Sequence, residues 1–186
     1  MKDIYLLFTR TPSLGSSAIK LFTDMKYTHV SLCLDIESNE FYSFARKYQY
    51  LVLPGGFVTE RLNKGNLKRF ENNPCALYKI TISDKKYAIL KQNIKYMLEN
   101  NDYEYNFLGV LSFYLGIPLE RNKYYFCSEF VSDALNQAGI IQLHKSRALY
   151  SPNDLLKLKA LKPVYSGSIH NLSLVSVKYG GATQIK

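Results

Sequence analysis

The chain has 186 residues, 47% of them hydrophobic and 21% charged, a balance that fits one globular unit over 1–186. It excludes wholesale disorder, collagen and coiled coil. Lys and Arg number 24 against 15 Asp and Glu, a formal +9, while three Cys without a CxxC pair and three His speak against a disulfide framework or a zinc site.

Taken in chain order, residues 4–9 form a short apolar run of strand formers. The run is too short for a signal-peptide core, and no apolar run approaches membrane-spanning length. Together with the sparse cysteines this predicts a soluble, cytoplasmic protein. Thr11-Pro-Ser-Leu-Gly reads as a turn and 16–24 as a short helix. Residues 28–35 alternate strictly, with Val30, Leu32 and Leu34 on one face and His29, Ser31, Cys33 and Asp35 on the other. After a polar turn, 41–46 resumes strand alternation and closes a hairpin. Pro54-Gly55-Gly56 breaks the chain, and 64–73 reads as a polar loop.

Residues 75–83 read as a further strand. Asp84 is the expected N-cap of a helix to about residue 100, with Ala88, Ile89, Asn93, Tyr96 and Met97 as its inner stripe. A third helix is expected over 103–115, then a turn at Gly116-Ile-Pro118. Residues 126–138 form a fourth helix, stopped by Gly139. Ser151-Pro152-Asn153-Asp154 opens a fifth, and 164–178 reads as irregular strand. Interleaved β and α with a hairpin predict an α+β fold: a mixed or antiparallel sheet with helices packed on it.

The charge is concentrated late: from 142 to 186, seven Lys or Arg stand against Asp154 alone. Such a flank suits an anionic polymer or membrane surface. No helix-turn-helix, zinc-finger or RNP-type motif accompanies it, which argues against nucleic acid. The counts of 18 Lys to 6 Arg, 13 Asn and 16 Tyr with no Trp follow AT-rich codons, as in a low-GC bacterium or its phages.

Chemistry concentrates at Cys127, which starts the helix in Tyr124-Tyr-Phe-Cys-Ser-Glu-Phe-Val. Phe130, Val131, Ala134, Leu135 and Ala138 fall on its stripe, so the thiol faces the protein body. The helix N-terminus favours the thiolate, the nucleophilic form. His29, on the polar face of its strand, is the candidate base. His144 and His170 lie in loop-like basic surroundings, and Cys33 and Cys75 read as structural.

Thr28-His-Val-Ser-Leu-Cys-Leu-Asp resembles the His strand, often HVGIYLG, of NlpC-type papain-like cysteine peptidases. Phe126-Cys-Ser-Glu-Phe-Val resembles their nucleophile-helix start, DCSGLV or CSELV. His29 precedes Cys127 by about a hundred residues, an order similar to the circularly permuted branch with YiiX-like amidases and, more distantly, lecithin:retinol acyltransferase-like proteins. Phe41-Tyr-Ser-Phe-Ala-Arg-Lys and Pro54-Gly-Gly-Phe-Val-Thr-Glu extend the likeness to a Firmicute-type subgroup.

The resemblance implies a papain-like core and a Cys–His hydrolase with no metal or cofactor. It also implies a polar residue on the next strand to orient the imidazole. Hairpin alignment puts Ser43 there, with Glu40 and Tyr42 as neighbours. A hydroxyl cannot stabilise imidazolium as a carboxylate does, so Glu60 or Glu129 is the alternative. The family's oxyanion hole combines the backbone N–H of the nucleophile with an upstream Tyr, here matched to Tyr103 of Tyr103-Glu-Tyr105.

The expected reaction is hydrolysis of an amide in a peptide-like, cell-wall-type substrate through an acyl-enzyme. The alternatives are thiol acyl transfer or hydrolysis on a lipid ester at an anionic membrane surface, and a non-catalytic binding module on the same scaffold.

Overall fold

The structure, a computed structural model, describes residues 1–10, 25–46, 55–100 and 102–178. The expected turn at Thr11 and helix over 16–24 lie outside these residues, as do Pro54 and the C-terminal end of the basic flank. The architecture is mixed α+β, with one mixed eight-stranded sheet and, among the described residues, six α-helices. The strands are β1 (Lys2–Thr9), β2 (His29–Cys33), β3 (Phe41–Arg46), β4 (Gly55–Glu60), β5 (Pro74–Ile82), β6 (Glu104–Tyr105), β7 (Tyr124–Tyr125) and β8 (Lys162–Ser168). The helices are α1 (Gly65–Arg69), α2 (Asp84–Glu99), α3 (Phe107–Tyr114), α4 (Cys127–Gln137), α5 (Pro152–Leu156) and α6 (Ile169–Lys178).

The order across the sheet is β7-β6-β4-β3-β2-β1-β5-β8. Neighbours run antiparallel except β6 and β7, which are parallel. Period-2 alternation in β1 divides the interior into two cores. Ile4, Leu6 and Phe8 face one core with Val30, Leu32, Leu90, Ile94 and the inner residues of α4. Leu7 faces the other with Cys33, Phe41, Leu67, Cys75, Ile169 and Leu172. Helices α2, α4 and α5 thus cover one face of the sheet, and α1 and α6 the other. No face of β2 is left for solvent: all five of its residues are buried, including His29 and Ser31. The polar face expected for this strand is therefore an interior one.

Several boundaries differ from expectation for identifiable reasons. Gly55–Glu60 is a strand because it pairs along its whole length with β3, a long-range gain that its glycines conceal. The polar stretch 64–73 contains α1, seated by the single buried Leu67. Ser83, not Asp84, caps α2, its Oγ accepting the Lys86 N–H; Asp84 pairs instead with the N-terminal ammonium. The buried stripe of α2 is Leu90 and Ile94, with Tyr87 and Met97 beside them, whereas Tyr96 is exposed. Residues 104–105 leave the expected helix to form β6, and α3 starts only after Asn106 caps it. The tail is strand only to Ser168; α6 follows, with Ile169 and Leu172 closing the second core. Gly139 ends α4 as expected, at φ +64°, and the Ile140 N–H returns to the Leu135 carbonyl.

Among the described residues, no helix is long and apolar enough to cross a membrane.

Candidate functional site

Helix α4 begins where Phe126 takes an extended conformation, and the Glu129 carboxylate accepts the Phe126 N–H at 3.3 Å. That acidic side chain in the first turn suits the positive end of the helix. Cys127 is the first helical residue, so its N–H has no partner within the helix. The predicted stripe Phe130, Val131, Ala134, Leu135 and Ala138 is buried throughout, and it carries the Cys127 side chain into the interior as expected.

There the Cys127 sulfur lies close enough to the His29 imidazole to favour the ring's charged form. His29 is the first residue of β2, across from Thr9 of β1. Its Nε2 lies 2.9 Å from Oε2 of Glu60, the last residue of β4. Both side chains are only about a tenth exposed, at 9% and 10%. With Nε2 engaged by Glu60, Nδ1 is the nitrogen left for the sulfur. Burial alone holds an imidazole down. The Glu60 charge, the ring's hydrogen bond to Glu60 and the nearby Cys127 sulfur outweigh that and raise His29 well above 6.5. Those neighbours favour the charged form of the ring.

Ser43 does not take the orienting position. Its Oγ donates to the Val30 carbonyl at 2.8 Å, a bond that joins β3 to β2, so its role is in the sheet. Of the two carboxylates weighed against it, Glu60 reaches the imidazole. Glu40 and Tyr42 bond each other, and Glu40 also pairs with Arg61. Glu129 binds Phe126 and Asn106 instead. The signal for Glu60 was its place at the end of Phe57-Val-Thr-Glu, but it became readable only once residues 55–60 formed a strand beside β3.

Tyr103 is also not at the nucleophile. Its ring packs on Phe44 and Tyr125, with Tyr96, Asp102 and Lys123 around its phenol. It lines a cavity of about 320 Å³ between α2 and α4. The tyrosine near the sulfur is Tyr114, the last residue of α3. Burial raises its phenol, and the Cys127 sulfur raises it further. The next ring, Phe113, meets Phe126 with centroids 6.1 Å apart. Tyr114 was missed because it sat inside a run of apolar and aromatic residues that reads as core.

The remaining candidates separate cleanly. Cys33 and Cys75 lie in the second core, and burial pushes both thiols up to about 12. His144 bonds the Tyr150 hydroxyl and His170 pairs with Glu71. Arg147, counted with the basic flank, turns inward and contacts three carboxylates. Among the described residues, no group of three or more His, Cys, Asp or Glu side chains is arranged to hold a metal ion. In comparisons with family models, curated proteins and solved structures, nothing matches this chain.

Two outcomes follow. Ser43→Ala removes its hydrogen bond to the buried Val30 carbonyl and lowers stability by about 1–3 kcal/mol in urea unfolding, while iodoacetamide labelling of Cys127 is unchanged. A tenfold loss of labelling would return Ser43 to the site. Glu60→Gln removes the main charge that raises His29, so the ring titrates at lower pH in NMR. The stability that the raised ring contributes is present just below pH 6.5 and is lost as pH rises through its elevated folded value. The deficit of Glu60→Gln is accordingly larger at pH 6 than at alkaline pH; a pH-independent deficit would show that Glu60 acts only by packing.

Proposed function

We propose that the chain is a papain-like cysteine hydrolase of the circularly permuted NlpC type, acting on an amide in a peptide-like or cell-wall-type substrate. One observation carries this reading: a thiol at the first turn of a helix, beside an imidazole whose Nε2 is held by a buried carboxylate. That is the nucleophile, base and orienting group of covalent acyl transfer. The chain order His29, Glu60, Cys127 agrees with the permuted branch that the two motifs resemble.

The imidazolium beside the sulfur stabilises the thiolate. The thiolate attacks the scissile carbonyl, forming the C–S bond and placing negative charge on the carbonyl oxygen. The free N–H of Cys127 lies at the positive end of α4 to receive that charge, and Tyr114 is the side-chain donor closest in kind to the family's tyrosine. His29 then gives its proton to the leaving amine as the C–N bond breaks. In the second half-reaction neutral His29 takes a proton from water, the hydroxide oxygen attacks the thioester, and the carboxylic acid leaves as the sulfur is released. Glu60 keeps the ring oriented and favours its charged form throughout.

A second reading keeps this chemistry and moves the substrate to a lipid surface. It is favoured by α3 and the turn after it, where Leu108, Leu111, Leu115 and Ile117 are 49–74% exposed beside the nucleophile. A chain of net charge +9 with such an apolar ridge has both attractions an anionic bilayer offers.

An activity-based thiol probe followed by peptide mapping tests the nucleophile. Cys127 is expected to react at least 100-fold faster than Cys33 or Cys75, and Cys127→Ala to fold normally without reacting. Equal labelling of the three thiols in the folded protein sinks the hydrolase reading. Vesicle sedimentation tests the second: binding to anionic vesicles that falls severalfold in Leu111→Ser/Leu115→Ser supports a lipid substrate. No binding at low salt removes it and leaves the amide reading in place.

A further inference from the structure

Glu129, two residues after Cys127, has no place in the transfer of protons described above, yet it is fully buried and joins three segments around that cysteine. Its Oε2 accepts two donors at 3.3 Å: the backbone N–H of Phe126, next to Cys127, and the side-chain amide of Asn106. Asn106 is the cap of α3, the helix that carries Tyr114. Its Oδ1 accepts the Gly109 N–H at 3.0 Å, and its amide also donates to the Leu119 carbonyl at 3.1 Å. Position 109 must be glycine for this, since a Cβ there would overlap the Asn106 side chain.

Arg147 completes the cluster from the turn after α4. Its Nε lies 3.5 Å from Glu129 Oε1, its Nη1 3.3 Å from Asp133 Oδ2, and its Nε 3.7 Å from Glu120 Oε2. Its guanidinium also lies over the Tyr125 ring, 4.9 Å from the centroid, and the Tyr125 hydroxyl donates to Asp133. Neither Glu129 Oε1 nor Arg147 Nε has a hydrogen-bond partner, so the two face each other as an ion pair at 3.5 Å. One guanidinium thus serves two buried carboxylates of α4 and a third on the loop after α3.

We propose that Glu129 is a positioning residue for acyl transfer, fixing the Cys127 backbone N–H and the Tyr114 helix relative to each other, with Arg147 holding it in place. The proposal rests on the cysteine-hydrolase reading and adds to it a device for the oxyanion side of the site. Alkylation of the sulfur builds no oxyanion, whereas acylation does, so the two reactions separate position from nucleophilicity. Glu129→Gln puts an amide N–H₂ or an uncharged oxygen against Arg147 and breaks the lock without changing shape. The same happens in the native protein on protonation: burial lifts Glu129 to about 7, and a proton on Oε1 sets a donor against a donor.

The test uses two probes on the full chain, read by mass spectrometry at Cys127. Iodoacetamide reports alkylation. p-Nitrophenyl acetate reports acylation, in which the C–S bond forms and p-nitrophenolate leaves. Glu129→Gln is expected to lower the ratio of acylation to alkylation 10- to 100-fold, the scale of losing or misplacing an oxyanion donor. In the wild type that ratio rises with pH through about 7, and in Glu129→Gln it is flat. The wild-type profile stands even where the variant fails to fold. A ratio unchanged by the substitution, or flat with pH in the wild type, overturns the positioning role alone. A wild-type Cys127 alkylated no faster than Cys33 overturns it together with the hydrolase reading.

Discussion

The first nine residues of α4 are buried without interruption, and four of them are Ser128, Glu129, Ser132 and Asp133. A helix enclosed on every side must find partners for such groups inside the protein, because each one left unpaired costs about 1–3 kcal/mol. Much of the surrounding structure answers that demand. Ser128 donates to the Tyr150 carbonyl and Ser132 to the Glu129 carbonyl. Asp133 gathers Tyr125, Gln137 and Arg147. Glu129 draws in Phe126, Asn106 and Arg147. The burial that makes these pairings necessary also delivers Cys127 to His29.

How far this was legible in the sequence depended on the range of the interaction. Helix α4 could be read locally, since its apolar stripe and its Gly139 stop lie within a dozen residues of Cys127. So could β1 from its apolar run, and β2, β3 and β5 from their alternation. The Glu60 contact could not, because it depends on β4 joining β3, and Gly55-Gly56 reads as a break rather than the start of a strand. Ser43 lies on the expected strand but not in the expected role: with Tyr42 across from Leu32, its hydroxyl meets the Val30 carbonyl and not the His29 ring. A carboxylate is the better partner for a buried, charged imidazole. Tyr103 and Tyr114 show the limit of spacing arguments in a chain with 16 tyrosines: which one nears the sulfur is settled by where α3 ends.

The sheet also explains why three thiols have different fates. Both of its faces are covered, so the chain has two interiors rather than an inside and an outside. Cys33 and Cys75 face the interior closed by α1 and α6, where there is no imidazole to share a proton and burial holds them as thiols. Cys127 faces the other, at the helix start that meets the beginning of β2. Strand alternation puts Cys33 and Cys75 in one interior, and the apolar stripe of α4 puts Cys127 in the other.

The lock on α4 comes from a residue that follows it. Arg147 and Tyr150 are made after Cys127, while His29 and Glu60 are made long before. The pairing of the buried acids of α4 therefore waits for a segment further along the chain. Until Arg147 docks, Glu129 and Asp133 stand one turn apart on the helix without their shared cation, so α4 and the segment after it gain their stability together.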